Sequence, residues 1–165
     1  LLEIGCGSGA LSIRAALSWP EAEVTGIDYW GAVYNYSQAM CESNAWSEGV
    51  SERCRFLHGD ARKLDFPDET FDAVVSNYVY HNINGSDKKE LLLESLRVLK
   101  KGGVFALNDD MKPHMYGDVE AFAEKLRKMG YQEVRIIDTA QEAFGSHRRA
   151  ALMMLGDSRM LAGRK

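Results

Sequence analysis

Apolar positions along the chain form short continuous runs that alternate with longer stretches of helical spacing. Leu1 to Ile4 reads as a short buried strand, followed by the glycine-rich turn Gly5-Cys6-Gly7-Ser8-Gly9 and a helix from about Ala10 to Ser18. Ala22 to Ile27 reads as a second strand ending at Asp28. The stretch from Ala32 to about Glu48 reads as a helix with Tyr36, Ala39 and Met40 on its inner face. Arg53 to His58 is a third strand, closed by Gly59-Asp60. Phe71 to Ser76 is a fourth, whose unbroken Ala73-Val74-Val75 run suits a central strand covered on both faces.

Leu92, Leu96 and Leu99 recur at helical spacing in a helix from about Asp87 to Leu99, and Lys100-Lys101-Gly102-Gly103 supplies a cationic last turn and a glycine stop. Then come a strand from Val104 to Asn108, a helix from Asp118 to Met129, a strand from Glu133 to Ile137, a short helix capped by Ser146 and running to Leu155, and a last strand from Arg159 to Gly163. This alternation predicts one α/β domain over residues 1–165, with a parallel sheet and right-handed crossovers. In such sheets ligands bind at the carboxyl ends of the strands. The glycine turn, Asp28, Asp60 and Asn77 all follow strands, so they are expected to share one edge.

Composition narrows the chemistry. The 165 residues carry a net charge of -4, so the basic field of a phosphate-gripping protein is missing and a small-molecule acceptor is favoured over nucleic acid. Three cysteines (Cys6, Cys41, Cys54) form neither a metal pattern nor an even disulfide set, which points to a reducing, cytoplasmic setting. No apolar run approaches the about 18 residues of a membrane span. The oligomeric state is left open.

Gly5-Cys6-Gly7-Ser8-Gly9-Ala10 fits two nucleotide loops. Read as G-x-G-x-x-A, with Asp28 at ribose distance, it matches the dinucleotide fingerprint. Read from Glu3 as E-x-G-x-G-x-G, it matches a methyltransferase loop. In both, residues without side chains let the backbone approach a ligand at positive φ.

Four further segments extend the second pattern. Leu2-Glu3-Ile4-Gly5-Cys6-Gly7-Ser8-Gly9 resembles motif I of class I S-adenosylmethionine-dependent methyltransferases, and Val24-Thr25-Gly26-Ile27-Asp28 resembles their motif II. His58-Gly59-Asp60-Ala61 resembles the adenine-binding motif, Phe71 to Asn77 resembles motif IV, and Leu96 to Gly103 resembles the helix end before strand five. The dinucleotide reading accounts only for the first two. The resemblance implies a Rossmann-like seven-stranded sheet of order 3-2-1-4-5-7-6 with the last strand antiparallel and helices on both faces. Members of that family usually carry a helix and lid before the first strand, which the domain over residues 1–165 is expected to lack.

Carried over position by position, the resemblance implies S-adenosylmethionine as cofactor. The backbone of Gly5, Cys6, Gly7 and Gly9 would pass under its methionine and ribose portions, with Glu3 at the methionine end. Asp28 would bind the ribose hydroxyls and Tyr29 would pack on the adenine. Asp60 would accept from the adenine amino group, the Ala61 N–H would donate to a ring nitrogen, and the Asn77 carbonyl would bind the ammonium.

Transfer from a sulfonium is an in-line displacement, so the protein must chiefly align the acceptor and exclude water. Acceptor candidates lie in Asn77-Tyr78-Val79-Tyr80-His81-Asn82 and in Asp109-Asp110-Met111-Lys112-Pro113-His114. His81 is the candidate base, because imidazole titrates near neutrality; the bland alternative is a loop histidine. Adenine and amide-nitrogen methyltransferases place a (D/N/S)-P-P-(Y/F) tetrad here. Asn77-Tyr78-Val79-Tyr80 lacks its prolines, which favours a small-molecule acceptor. Alternatives are a catalytically idle cofactor-binding module and an oxidoreductase using a nicotinamide dinucleotide.

Overall fold

The computed structural model describes residues 1–32 and 35–165. Seven strands form one sheet: β1 (Leu2–Ile4), β2 (Val24–Asp28), β3 (Cys54–His58), β4 (Phe71–Asn77), β5 (Leu99–Asp110), β6 (Gln132–Ile137) and β7 (Ser158–Arg164). Their order is β3-β2-β1-β4-β5-β7-β6. The pairs β1–β2, β1–β4, β2–β3 and β4–β5 are parallel, while β7 runs antiparallel to both β5 and β6. Order and directions are those expected from the resemblance.

The helices are α1 (Ala10–Ser18), α2 (Gln38–Ser47), α3 (Lys88–Arg97), α4 (Pro113–Tyr116), α5 (Val119–Lys128), α6 (Thr139–Phe144) and α7 (His147–Leu152). Their apolar faces feed two cores. Ile13, Ala16, Cys41 and Ala45 of α1 and α2 pack with Val24 and Phe56. Leu92, Leu96, Phe122 and Leu126 of α3 and α5 pack with Ile4, Val74, Leu107 and Leu161. Each fully buried leucine stabilises the fold by about 1.5–3 kcal/mol relative to exposure. β1 is buried along its whole length, which anchors the turn that follows it.

Four expectations need correcting. The helix expected from Ala32 begins at Gln38, because the Ser37 hydroxyl accepts from the Met40 N–H at 3.2 Å and caps it there. Residues 33 and 34 lie outside the described residues. Tyr36 precedes the helix, and Ala39 and Met40 are exposed; the inward residues are Cys41 and Ala45.

Second, α3 stops at Arg97, and Lys100-Lys101-Gly102-Gly103 belongs to β5. Leu99 already pairs with Phe71, and the glycines make an irregularity where the Gly102 N–H bonds the Lys165 carbonyl at 2.6 Å. A side chain at Gly103 would meet the Asp72 carbonyl at 2.9 Å, so Gly103 serves strand packing, while Gly102 supplies a positive φ of 77°. Third, α7 ends at Leu152 rather than Leu155. Fourth, α6 was not foreseen, although its signal is readable: Asp138 accepts from the Gln141 N–H at 2.9 Å, and Gly145 closes the helix in the left-handed region.

Candidate functional site

The parallel strand order brings the carboxyl ends of β1, β2 and β4 side by side, with the turn after β3 next to them. An open cavity of about 810 Å³ lies there. Glu3, Gly5, Cys6, Gly7, Asp28, Tyr29, Asp60, Ala61, Asn77 and His81 all line it. Gly9 does not. It caps α1 at φ 82°, and a Cβ there would meet the Phe56 ring at 3.0 Å, so its lack of a side chain serves helix packing.

The glycine loop is held by backbone and carboxylate together. The Gly5 and Cys6 N–H groups bond the Ile27 carbonyl at 2.8 and 3.0 Å. Asp28 then clamps the loop: its Oδ2 accepts from the Gly7 N–H at 2.8 Å and its Oδ1 from the Trp30 N–H at 2.7 Å. The Trp30 indole N–H closes the clamp by donating to the Gly7 carbonyl at 2.9 Å. Trp30 therefore shapes the site, a role that its sequence position did not reveal; its one local signal is its place two residues after Asp28. Each Asp28 oxygen keeps acceptor capacity beyond these bonds.

Glu3 is buried, and the Ser12 hydroxyl donates to its Oε2 at 2.5 Å. Burial pushes the Glu3 carboxyl up to about 7, against the opposing pull of Ser12. The folded chain thus holds a proton that the unfolded chain releases near its ordinary value of 4.5. Stability from this group is present below that value and declines as pH rises toward 7, by on the order of 3 kcal/mol. Glu3→Gln should flatten the loss of urea stability between pH 5 and pH 8. An unchanged slope would show that the drop arises elsewhere.

Cys6 and Cys41 meet thiol to thiol beneath the loop, and the Cys41 thiol also donates to the Gly7 carbonyl at 3.2 Å. The contact with Cys41 and burial push the Cys6 thiol up, so it stays protonated and acts as a small filler. At the far end of the cavity Tyr29 is exposed, with its ring 5.2 Å from that of His58. Asp60 is not an open acceptor. Arg62 holds its carboxylate through three contacts of 2.7–3.0 Å, and the Arg62 hydrogen bonds hold the Asp60 carboxyl below the usual range. An adenine amino group would share the Asp60 carboxylate with the exposed Arg62 side chain.

At the other end, the turn after β4 is tightly built. Asn77 accepts from the Asn108 amide at 2.8 Å, and Tyr78 adopts φ 57°. Val79 rests on Gly5, where a Cβ would lie 2.1 Å from the Val79 Cγ2. His81 follows in a 3-10 turn, Tyr80–Asn82. Its backbone N–H donates to Asp109 Oδ2 at 3.0 Å, and its Nδ1 is hydrogen-bonded to Asp109 Oδ1.

Asp109 is wholly buried and also accepts from the Tyr116 hydroxyl at 2.8 Å and from the Asp110 N–H at 2.7 Å. Burial and the neighbouring carboxylate push the Tyr116 hydroxyl up, so it remains a donor. Four donors thus converge on one carboxylate, the His81 Nδ1–H among them; in the neutral imidazole this tautomer carries its lone pair on Nε2. Asp109 and Asp110 do not line the cavity; Asp109 contacts the wall through His81, and Asp110 pairs with Lys112 at 2.9 Å.

Residues 2–107 match the family described as a methyltransferase domain. The chain is 30% identical to 27-O-demethylrifamycin SV methyltransferase of Amycolatopsis mediterranei over 92% of its own length and 52% of that protein's. Among solved structures, it is similar to Haemonchus contortus phosphoethanolamine N-methyltransferase 2 (TM-score 0.73, 17% identity, 99% of this chain and 48% of that one). It is also similar to the [4+2]-cyclase SpnF (TM-score 0.68, 22% identity, 99% and 74%). The chain spans about a quarter to a half of the length of its first curated relatives, from 26% to 52%. By its matched domain, glycine loop and strand order, this chain belongs to the class I S-adenosylmethionine-dependent methyltransferase family.

Proposed function

We propose that this chain transfers a methyl group from S-adenosylmethionine to a small-molecule acceptor that loses a proton, with His81 as general base. The observation that carries this reading is the His81–Asp109 pair at the wall of the glycine-loop cavity. The relatives' names support a small organic acceptor: a rifamycin, sterols and a menaquinone precursor. The net charge of -4 points away from nucleic acid.

The cavity residues fit the cofactor. Gly5 and Gly7 at φ 73° and 54° present backbone without side chains, and Asp28 offers a carboxylate at the strand end. Glu3, Cys6, Tyr29, Asp60, Ala61 and Asn77 complete the wall. When bound, S-adenosylmethionine supplies a methyl already activated on a sulfonium. The chain's own part is to hold the acceptor in line, exclude water and take a proton. Nε2 of His81 receives the acceptor proton, and Asp109 stabilises the resulting imidazolium without itself being protonated.

No helix among the described residues is long and apolar enough to cross a membrane. We place the protein in a reducing compartment, the cytoplasm, on its three free cysteines. The SpnF likeness shows fold alone, yet it makes the distinction between binding and transfer worth measuring.

Calorimetric titration with S-adenosylmethionine, S-adenosylhomocysteine and a nicotinamide dinucleotide tests the cofactor. Only the first two should bind. Asp28→Ala should weaken both by about ten- to a hundredfold, the weight of hydrogen bonds to a charged group. It should also lower the melting midpoint, since Asp28 anchors Gly7 and Trp30. Undiminished affinity in that variant would remove Asp28 from the cofactor site.

A further inference from the structure

The cavity wall runs on past His81 to a surface that the proton transfer does not use. Leu155 lines the cavity. The three residues before it, Leu152, Met153 and Met154, are 84%, 66% and 76% exposed. Single exposed apolar residues are ordinary, but three consecutive large ones beside a half-buried leucine that lines a cavity are not.

The rim adjoins the reacting end. The Ser158 N–H bonds the Leu155 carbonyl at 3.1 Å, and the Ser158 hydroxyl meets the Tyr78 hydroxyl at 2.7 Å. The Tyr78 ring stands edge-on to His81 at 6.5 Å. Ile83, in the same turn as His81, also lines the cavity.

The rim backbone is held firmly. The Met153 and Leu155 N–H groups both bond the Ala150 carbonyl at 2.9 Å, and Ala150 is fully buried. The His147 ring, at the start of α7, links the residue that follows the rim to the start of α6, with Nδ1 2.9 Å from the Gly156 carbonyl and Nε2 2.8 Å from Asp138. Met154 sits at φ 61°, a conformation that a long side chain keeps only where its surroundings impose it. The apolar side chains are therefore presented outward by a fixed frame. Methionine suits such a surface, since its flexible thioether adapts to irregular apolar shapes.

Resting on the methyl-transfer reading above, we propose that the Leu152–Leu155 rim binds the apolar body of the acceptor. The substrate class is then a small amphiphile: an ionisable hydroxyl at His81, joined to a hydrocarbon portion that extends over the rim.

The test uses the whole chain saturated with S-adenosylhomocysteine and titrated with 4-alkylphenols from ethyl to octyl. Each added methylene should tighten binding by about fourfold while the rim is being covered. In the variant Leu152→Ser/Met153→Ser/Met154→Asn, the gain should fall below about twofold per methylene. Asparagine is chosen at 154 because it tolerates positive φ. S-adenosylhomocysteine affinity should not change, because none of the three residues lines the cavity.

A flat series in the parent chain, or an equally steep one in the variant, overturns the proposal. Sedimentation covers the other occupant: a dimer that the variant dissociates, with an unchanged alkyl series, would make the rim an interface between copies. Failure of S-adenosylhomocysteine to bind would take down the cofactor reading and this one together, and so is distinguishable from failure of the rim alone.

Discussion

His81→Gln is expected to slow methyl transfer by about a hundred- to ten-thousandfold, the usual weight of a positioned acid–base group, with S-adenosylhomocysteine affinity nearly unchanged. Glutamine can still hydrogen-bond Asp109 but has no basic nitrogen, so the loss isolates proton transfer from packing. Asp109→Asn should cost rate by a different route. The amide places a donor among the four donors that now converge on the carboxylate, and one contact must break. If the His81 contact turns over, the ring proton moves to Nε2 and the base is lost.

An unsatisfied buried group should also cost about 1–3 kcal/mol of stability in Asp109→Asn. The discriminating readout is acceptor acidity. A phenol already ionised at the assay pH needs no base, so both variants should recover most of their rate with it. Full activity of His81→Gln toward a neutral hydroxyl acceptor would return His81 to an ordinary loop histidine.

Gly5→Ala should be the most damaging single methyl group that can be added to the loop. Two costs combine. A non-glycine residue at φ 73° pays about 1–2 kcal/mol. Forcing a Cβ into a site 2.1 Å from Val79 Cγ2 adds about 1–3 kcal/mol of overpacking. Urea unfolding should therefore show a loss of about 2–5 kcal/mol, and cofactor binding should disappear as the turn after β4 is pushed off the loop.

The two terms separate experimentally. Gly49 has a similar φ of 71° with no atom within 4 Å of its added Cβ, so Gly49→Ala should show the backbone cost alone. Val79→Ala in the Gly5→Ala background should restore part of the stability, and the coupling energy from the four-protein cycle measures the clash. Equal losses at Gly5 and Gly49 would mean that Val79 moves aside freely.

The alternating elements, the glycine loop and the strand-end position of Asp28 are legible in the amino-acid sequence, because each is written in local periods or backbone preferences. The resemblance added the strand order. Local signals also misled. Lys100-Lys101-Gly102-Gly103 carries every mark of a helix stop, yet Leu99 was already committed to the ladder with Phe71. The missing side chain of Gly9 also accommodates Phe56, a packing role that no local signal announced.

How the site's groups are paired follows from the folded arrangement of the strands. Asp109 lies 28 residues beyond His81 and becomes its partner because β5 pairs with β4 and carries its last residues beneath the turn that follows. Arg62 pairs with Asp60, Trp30 closes over Gly7, and Val79 packs where a side chain at position 5 would lie. Periodicity states which face a side chain takes, whereas its partner depends on which strand lies next to it. That adjacency is set by long-range packing, and no short stretch of chain encodes it.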